Sequence, residues 1–142
     1  MTSLTAFAAS MRQRANAVGV NSQQAVKQVA KAAGTTVVYA TPIDTSRARM
    51  NWQSSVDSPV NGVLLPYPSQ PASPSDGVRV ALASLESAIG AYSSQRGGIW
   101  IVNNLDYIGA LNDGWSTQAP ADFVAQSVLA GVRSLATVRL LP

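Results

Sequence analysis

The chain is predicted to fold as an α+β domain: N-terminal helices, a small, mostly antiparallel sheet with a long proline-rich loop, and a C-terminal helix packed on that sheet. Three observations predict it. Apolar residues recur at three- and four-residue spacing from Leu4 to Ala40. The period drops to two between Asn51 and Val56, and a continuous apolar run follows at Ile99 to Val102. Helical spacing then returns after Pro120. A length of 142 residues with 46% hydrophobic residues suits one domain spanning 1–142.

Leu4, Phe7, Ala8, Met11, Ala15 and Val18 form one apolar face, which predicts a helix from Ser3 to Ala17 that Gly19 ends. Asn21, with Gln24 three residues later, offers a weak capping box for a second helix. That helix lines up Val26, Val29, Ala30, Ala33, Val37 and Ala40. Gly34 and the β-branched run Thr35, Thr36, Val37 and Val38 lower its propensity, so tertiary packing holds this half or it becomes a strand. Thr41 precedes Pro42, which disfavours helical geometry and ends the segment.

Trp52, Ser54 and Val56 alternate with Asn51, Gln53 and Ser55, as on a strand. The stretch from Asp57 to Gly77 contains Pro59, Pro66, Pro68, Pro71 and Pro74, which forbid a regular central strand. Residues 58–76 therefore read as an extended loop or arm. Leu64, Leu65 and Tyr67 within it have little local means of burial and call for a partner surface. Leu82, Leu85, Ile89 and Tyr92 give a short helix. Gly97 and Gly98 turn the chain into Ile99 to Val102, read as a buried strand. Tyr107, Ile108 and Leu111 suggest a helical turn that Gly114 stops. Pro120 is placed at the first position of a last helix carrying Phe123, Val124, Val128, Leu129 and Val132. Val138 to Pro142 reads as a strand or a docking arm.

Cysteine and histidine are both absent. That excludes disulfides, thiolate metal sites, Cys or His nucleophile–base pairs and a histidine proton shuttle. No phosphate-binding or dinucleotide-binding glycine motif is present, and Asp106 with Asp113 is too ordinary a spacing to read as a carboxylate pair. The expectation is a protein that is not an enzyme and takes no cofactor and no metal. No apolar run is long enough for a transmembrane helix, and the N-terminus lacks the pattern of a signal peptide, so a soluble protein made in a cytoplasm is expected. Charge is uneven. Residues 1–50 hold six basic groups against Asp44, a net of +5, while 51–142 hold four basic and six acidic groups, a net of −2. A basic half suits nucleic acid, an acidic partner, or simply the solvated face of two helices.

Two blocks stand out. The first runs Thr41, Pro42, Ile43, Asp44, Thr45, Ser46, Arg47, Ala48, Arg49, Met50, Asn51, Trp52. The second holds Ile99 to Tyr107 with Asn103 and Asn104, then Leu111, Asn112, Asp113, Gly114, Trp115, Ser116, Thr117, Gln118, Ala119, Pro120. Together they resemble the neck and tail-completion proteins of tailed bacteriophages, which carry T-P-V-D-T-G-R-A-R-x-N-W after a helix. Later these chains carry an apolar strand, N-N-x-x-Y, and an L-E-x-G-x-S-x-Q-A-P run before a last helix. The resemblance covers roughly residues 22 to 133 and keeps the order of both blocks. It departs at Ser46, where the family has glycine, and at Asn112, where it has an acid.

The resemblance implies a virion structural protein in the phage neck at the head–tail junction, made in the host cytoplasm. It would be one subunit of a tail-completion or tail-terminator ring that docks the tail tube to the head-side connector. DNA would pass through the lumen without sequence-specific binding, and no membrane is involved. A sphere with a radius of gyration of roughly 14–15 Å packs six to a ring around a duplex-sized hole, so a hexamer is expected. The alternative is a small basic nucleic-acid-binding module.

Pro42 and Asp44 are read as a structural turn, with Asp44 accepting backbone N–H groups. Ser46 in place of glycine implies a turn without positive φ. Arg47 and Arg49, if on a strand, share one face; they either bind acidic groups on a neighbouring subunit or pair internally with Asp44 and Asp57. Trp52 is read as core. Asn103 and Asn104 tie off backbone where the sheet ends. Trp115 beside Gln118 is either an exposed interface anchor or a half-buried loop aromatic.

Overall fold

The computed structural model describes residues 4–43, 46–64, 74–139 and 141. Helix α1 (Leu4–Ala40) leads to a single turn α2 (Arg47–Met50), then strand β1 (Gln53–Val56), helix α3 (Pro74–Ala91) and strand β2 (Ile99–Val102). Short helix α4 (Ile108–Asn112) and helix α5 (Phe123–Ser134) follow, closed by a 3-10 turn at Leu135–Thr137. The class is α+β, as the change of period predicts.

The two expected N-terminal helices are one. A mid-helix glycine costs only about 1 kcal/mol, and a helix already anchored on one side carries that easily. Gly19 and Asn21 therefore lie inside α1. The anchor is the C-terminal half, where Ala25, Ala30, Gly34, Val37 and Val38 are buried. The β-branched run stays helical because it packs: Val37 and Val38 join Trp52, Ala81, Ala119 and Phe123 in the core. At 37 residues, α1 is about 55 Å long. A sphere of the expected size cannot contain it, so the molecule is a globular body with a projecting helical arm.

Two glycines allow close approach of elements onto α1. At Gly34, an added Cβ would meet Leu85 Cδ2 of α3 at 2.7 Å. At Gly131 of α5, it would meet the Val29 carbonyl oxygen and Ala33 Cβ, both at 3.0 Å. Helix α5 thus lies chiefly against α1, and reaches the sheet where Val124 and Val128 face Ile101 across a cavity of about 100 Å³. Helix α3 covers β1.

Among the described residues the sheet is one antiparallel pair, with Gln53 opposite Val102 and Val56 opposite Ile99. Strand β2 is not buried on both faces: Trp100 is 44% exposed. Asp57 closes the open end of the pair. Its carboxylate accepts the Gly97 N–H at 2.7 Å and pairs with Arg96 Nε at 2.7 Å.

Both described ends of the proline-rich segment belong to the body of the molecule. Pro74 to Asp76 form the first turn of α3, where proline's fixed φ is tolerated. Residues 60–64 are tied to the body: Asn104 Nδ2 donates to the carbonyls of Val60 and Gly62, and Gln53 Nε2 donates to Gly62. Leu65 and Tyr67 lie outside the described residues, as does Asp44.

Helix α5 begins at Phe123, three residues after Pro120, with Asp122 at its N-cap in left-handed geometry. The Asp122 side chain makes no cap bond. Asn112 serves instead: its carbonyl accepts the Asp122 N–H at 2.7 Å and its Oδ1 accepts the Val124 N–H at 3.0 Å. An acid is unnecessary where a neighbouring amide satisfies the orphan donors.

Candidate interaction surface

The first block is a knot at the C-terminal end of α1. Thr41 is fully buried. Its hydroxyl donates to the Val37 carbonyl at 2.6 Å and accepts the Trp52 indole N–H at 2.8 Å. Trp52 is 7% exposed and belongs to the core. Asn51 is also fully buried and mimics a strand partner for Leu64. Its Oδ1 accepts the Leu64 N–H at 2.7 Å, while Nδ2 donates to the carbonyls of Arg47 at 2.8 Å and Leu64 at 3.2 Å. Leu64, expected in a free arm, is therefore held by its backbone and is half-buried.

Arg47 and Arg49 lie on α2, not on a strand. Two residues on a helix are about 200° apart, so the guanidiniums do not share a face. Arg49 caps α1: Nε donates to the Thr41 carbonyl at 2.8 Å and Nη2 to the Tyr39 carbonyl at 2.9 Å. A cation on the last carbonyls of a long helix is also favoured by the helix dipole. Burial pushes the Arg49 guanidinium below its ordinary pKa, with Tyr39 opposing, but an arginine stays protonated at any ordinary pH. Arg47 instead lies over the Tyr107 ring, 6.0 Å from its centroid. Asp57 pairs with Arg96, so the expected alternative partner of Arg47 and Arg49 is engaged elsewhere.

Ser46 adopts φ of 60° although it is not glycine. The left-handed geometry is imposed by packing: Ser46 is 1% exposed, and its carbonyl lies so close to Gly77 of α3 that a Cβ there would meet it at 2.8 Å. The expectation of a turn without positive φ is thus overturned, at a local cost of roughly 1–2 kcal/mol.

The second block folds onto the first. Asn103 Nδ2 donates to the Ala48 carbonyl at 2.8 Å, and Gln118 Oε1 accepts the Ile43 N–H at 2.7 Å. Between the blocks lies an open cleft of about 490 Å³ whose walls include Pro42, Ile43, Tyr107, Leu111, Trp115 and Gln118. Pro42 itself is buried. Gly114, at φ 91°, ends α4 with a pair of reversed bonds: Gly114 N–H to Leu111 and Trp115 N–H to Ala110. This turn delivers Trp115 to the cleft rim, where it is 83% exposed.

Among the described residues that line the cleft there is no lysine, arginine, aspartate or glutamate. Its chemistry is apolar and hydrogen-bonding, suited to a peptide segment. Among the described residues no group of three or more Asp or Glu is placed to hold a metal ion, and no helix is long and apolar enough to cross a membrane. Sequence reasoning brought Trp115 and Gln118 to this site, and it missed Thr41, Asn51 and Asn112 as bonding residues. Their positions inside the two blocks were the available signal.

No family model, curated protein or solved structure matches the chain.

Proposed function

We propose that this chain is a structural subunit of a ring at the head–tail junction of a tailed phage. The ring would complete or terminate the tail tube and dock it to the head-side connector, with DNA passing through its lumen. What carries the reading is the resemblance of the two blocks, supported by their meeting in one cleft. The geometry adds one specific support. At Ser46, where the family pattern has glycine, the backbone is left-handed, with φ of 60°, the conformation glycine adopts without cost.

In this reading the mechanism is assembly by complementary surfaces, without turnover chemistry. Trp115, 83% exposed beside the cleft, is the anchor for a segment of the next subunit or ring. Arg47 is the charged neighbour of that site, whereas Arg49 serves the fold. The test is Trp115→Ala in an in vitro head–tail joining assay, with thermal unfolding measured alongside. The expected result is fewer joined particles at unchanged melting temperature, and rings of six subunits by electron microscopy. Full joining by the variant would sink the reading.

A nucleic-acid-binding module remains the second reading, because α1 carries Arg12, Arg14, Lys27 and Lys31 and no acidic residue. Tight binding to generic duplex that weakens steeply with salt would favour it.

A further inference from the structure

The apolar face of α1 does not stop where the body stops. Leu4, Phe7, Met11 and Val18 are 84%, 56%, 49% and 36% exposed. They lie on the same side of the helix as Val29 and Ala33, which pack against Gly131 of α5. Within α1 the first buried residue is Ala25, so roughly 30 Å of helix projects with an uncovered ridge.

The body has a matching groove. Ala25, Val26, Val29 and Ala33 of α1, Ile101 of β2 and Val128 of α5 line a depression of about 400 Å³ that is almost wholly apolar. Val26 and Val128 in it are 36% and 54% exposed. Leu4, Phe7 and Met11 give the ridge its bulk, while the groove is lined by alanine and β-branched residues together with Leu135.

We propose that the ridge of residues 4–18 docks in the groove of a second copy of this chain. The arm cannot reach its own groove, because both lie along one continuous helix. Each copy leaves open one ridge and one groove, so a second copy supplies the occupant in matched number. The ridge has no acidic residue and the flanking charges, Arg12 and Arg14, are both basic, so apolar burial carries the association and salt does not abolish it. The inference does not depend on the head–tail reading.

The absence of native cysteine makes a direct test available. Full-length Met11→Cys and Val128→Cys proteins are mixed, oxidised and analysed by mass. The expected product is a disulfide between residue 11 of one copy and residue 128 of another. In sedimentation equilibrium, Phe7→Ser should weaken association about 30-fold or more. Circular dichroism should show Phe7→Ser still folded, since Phe7 touches solvent in the monomer. A protein monomeric at all concentrations, a product joined only through residue 11 of both copies, or binding to anionic vesicles without self-association would each overturn the proposal.

Discussion

The two halves of α1 carry the same kind of apolar stripe and meet opposite fates. In the C-terminal half, Gly34 is pressed by Leu85, and Val38 is 2% exposed. In the N-terminal half, a Cβ on Gly19 would meet nothing within 4 Å, and Leu4 is 84% exposed. Periodicity reports which side of a helix is apolar. It does not report whether the same chain covers that side. A stripe that outruns the body is a surface, and the helix persists there because the anchored half nucleates it.

The comparison can be broken most sharply at Gly131. Gly131→Val drives a branched side chain against the Val29 carbonyl and Ala33, and should cost about 3 kcal/mol in urea unfolding. The same enlargement in the arm should cost nothing of the kind. If Gly131→Val is neutral, α5 does not anchor α1 as described.

Next in size is the cap on the buried end. Arg49→Ala removes the bonds to Tyr39 and Thr41 and should cost about 1–2 kcal/mol. Arg47→Ala, which loses a ring contact at 6.0 Å, should cost about 0.5–1 kcal/mol. Equal losses by thermal unfolding would show that the two arginines share one role.

A smaller effect of opposite sign is expected in the arm. Gly19→Ala adds a methyl group into open space and should stabilise α1 by up to about 1 kcal/mol, seen as higher helix signal and slower amide exchange before Ala25. The smallest effect is Leu4→Ser, whose 84% exposure predicts a change within roughly 0.5 kcal/mol in monomer unfolding. A large loss there would mean that the ridge is already covered in the state being unfolded.

The class of fold was legible because changes of period survive in sequence: three-four spacing to Ala40, alternation around Trp52, and helical spacing again from Phe123. The merging of two helices was not, since Gly19 and the Asn21–Gln24 pattern read as a boundary. Only the packing at Gly34 and Gly131, distant in sequence, overrides that local signal. At the site, Trp115 and Gln118 stood out by type and spacing. The roles of Arg49 and Asn51 did not, because an arginine or asparagine reads as surface until its carbonyl partners are known. Ser46 shows the same limit: residue type argued against positive φ, and the crowding by α3 imposed it.

The knot around Thr41 also bears on the order of folding. Thr41, Arg49 and Trp52 bond across separations of eight and eleven residues, a loop that closes in tens of nanoseconds. The bonds from Gln118 to Ile43 and from Asn103 to Ala48 span 75 and 55 residues and pay a larger closure entropy first. The C-terminal end of α1 and the entry to β1 are therefore expected to form first, with α5 condensing onto them. Trp52→Phe should slow refolding with a φ-value near 1, whereas Gly131→Ala should mainly speed unfolding. A φ-value near zero for Trp52→Phe would place the nucleus elsewhere, and the knot would be the last thing tied.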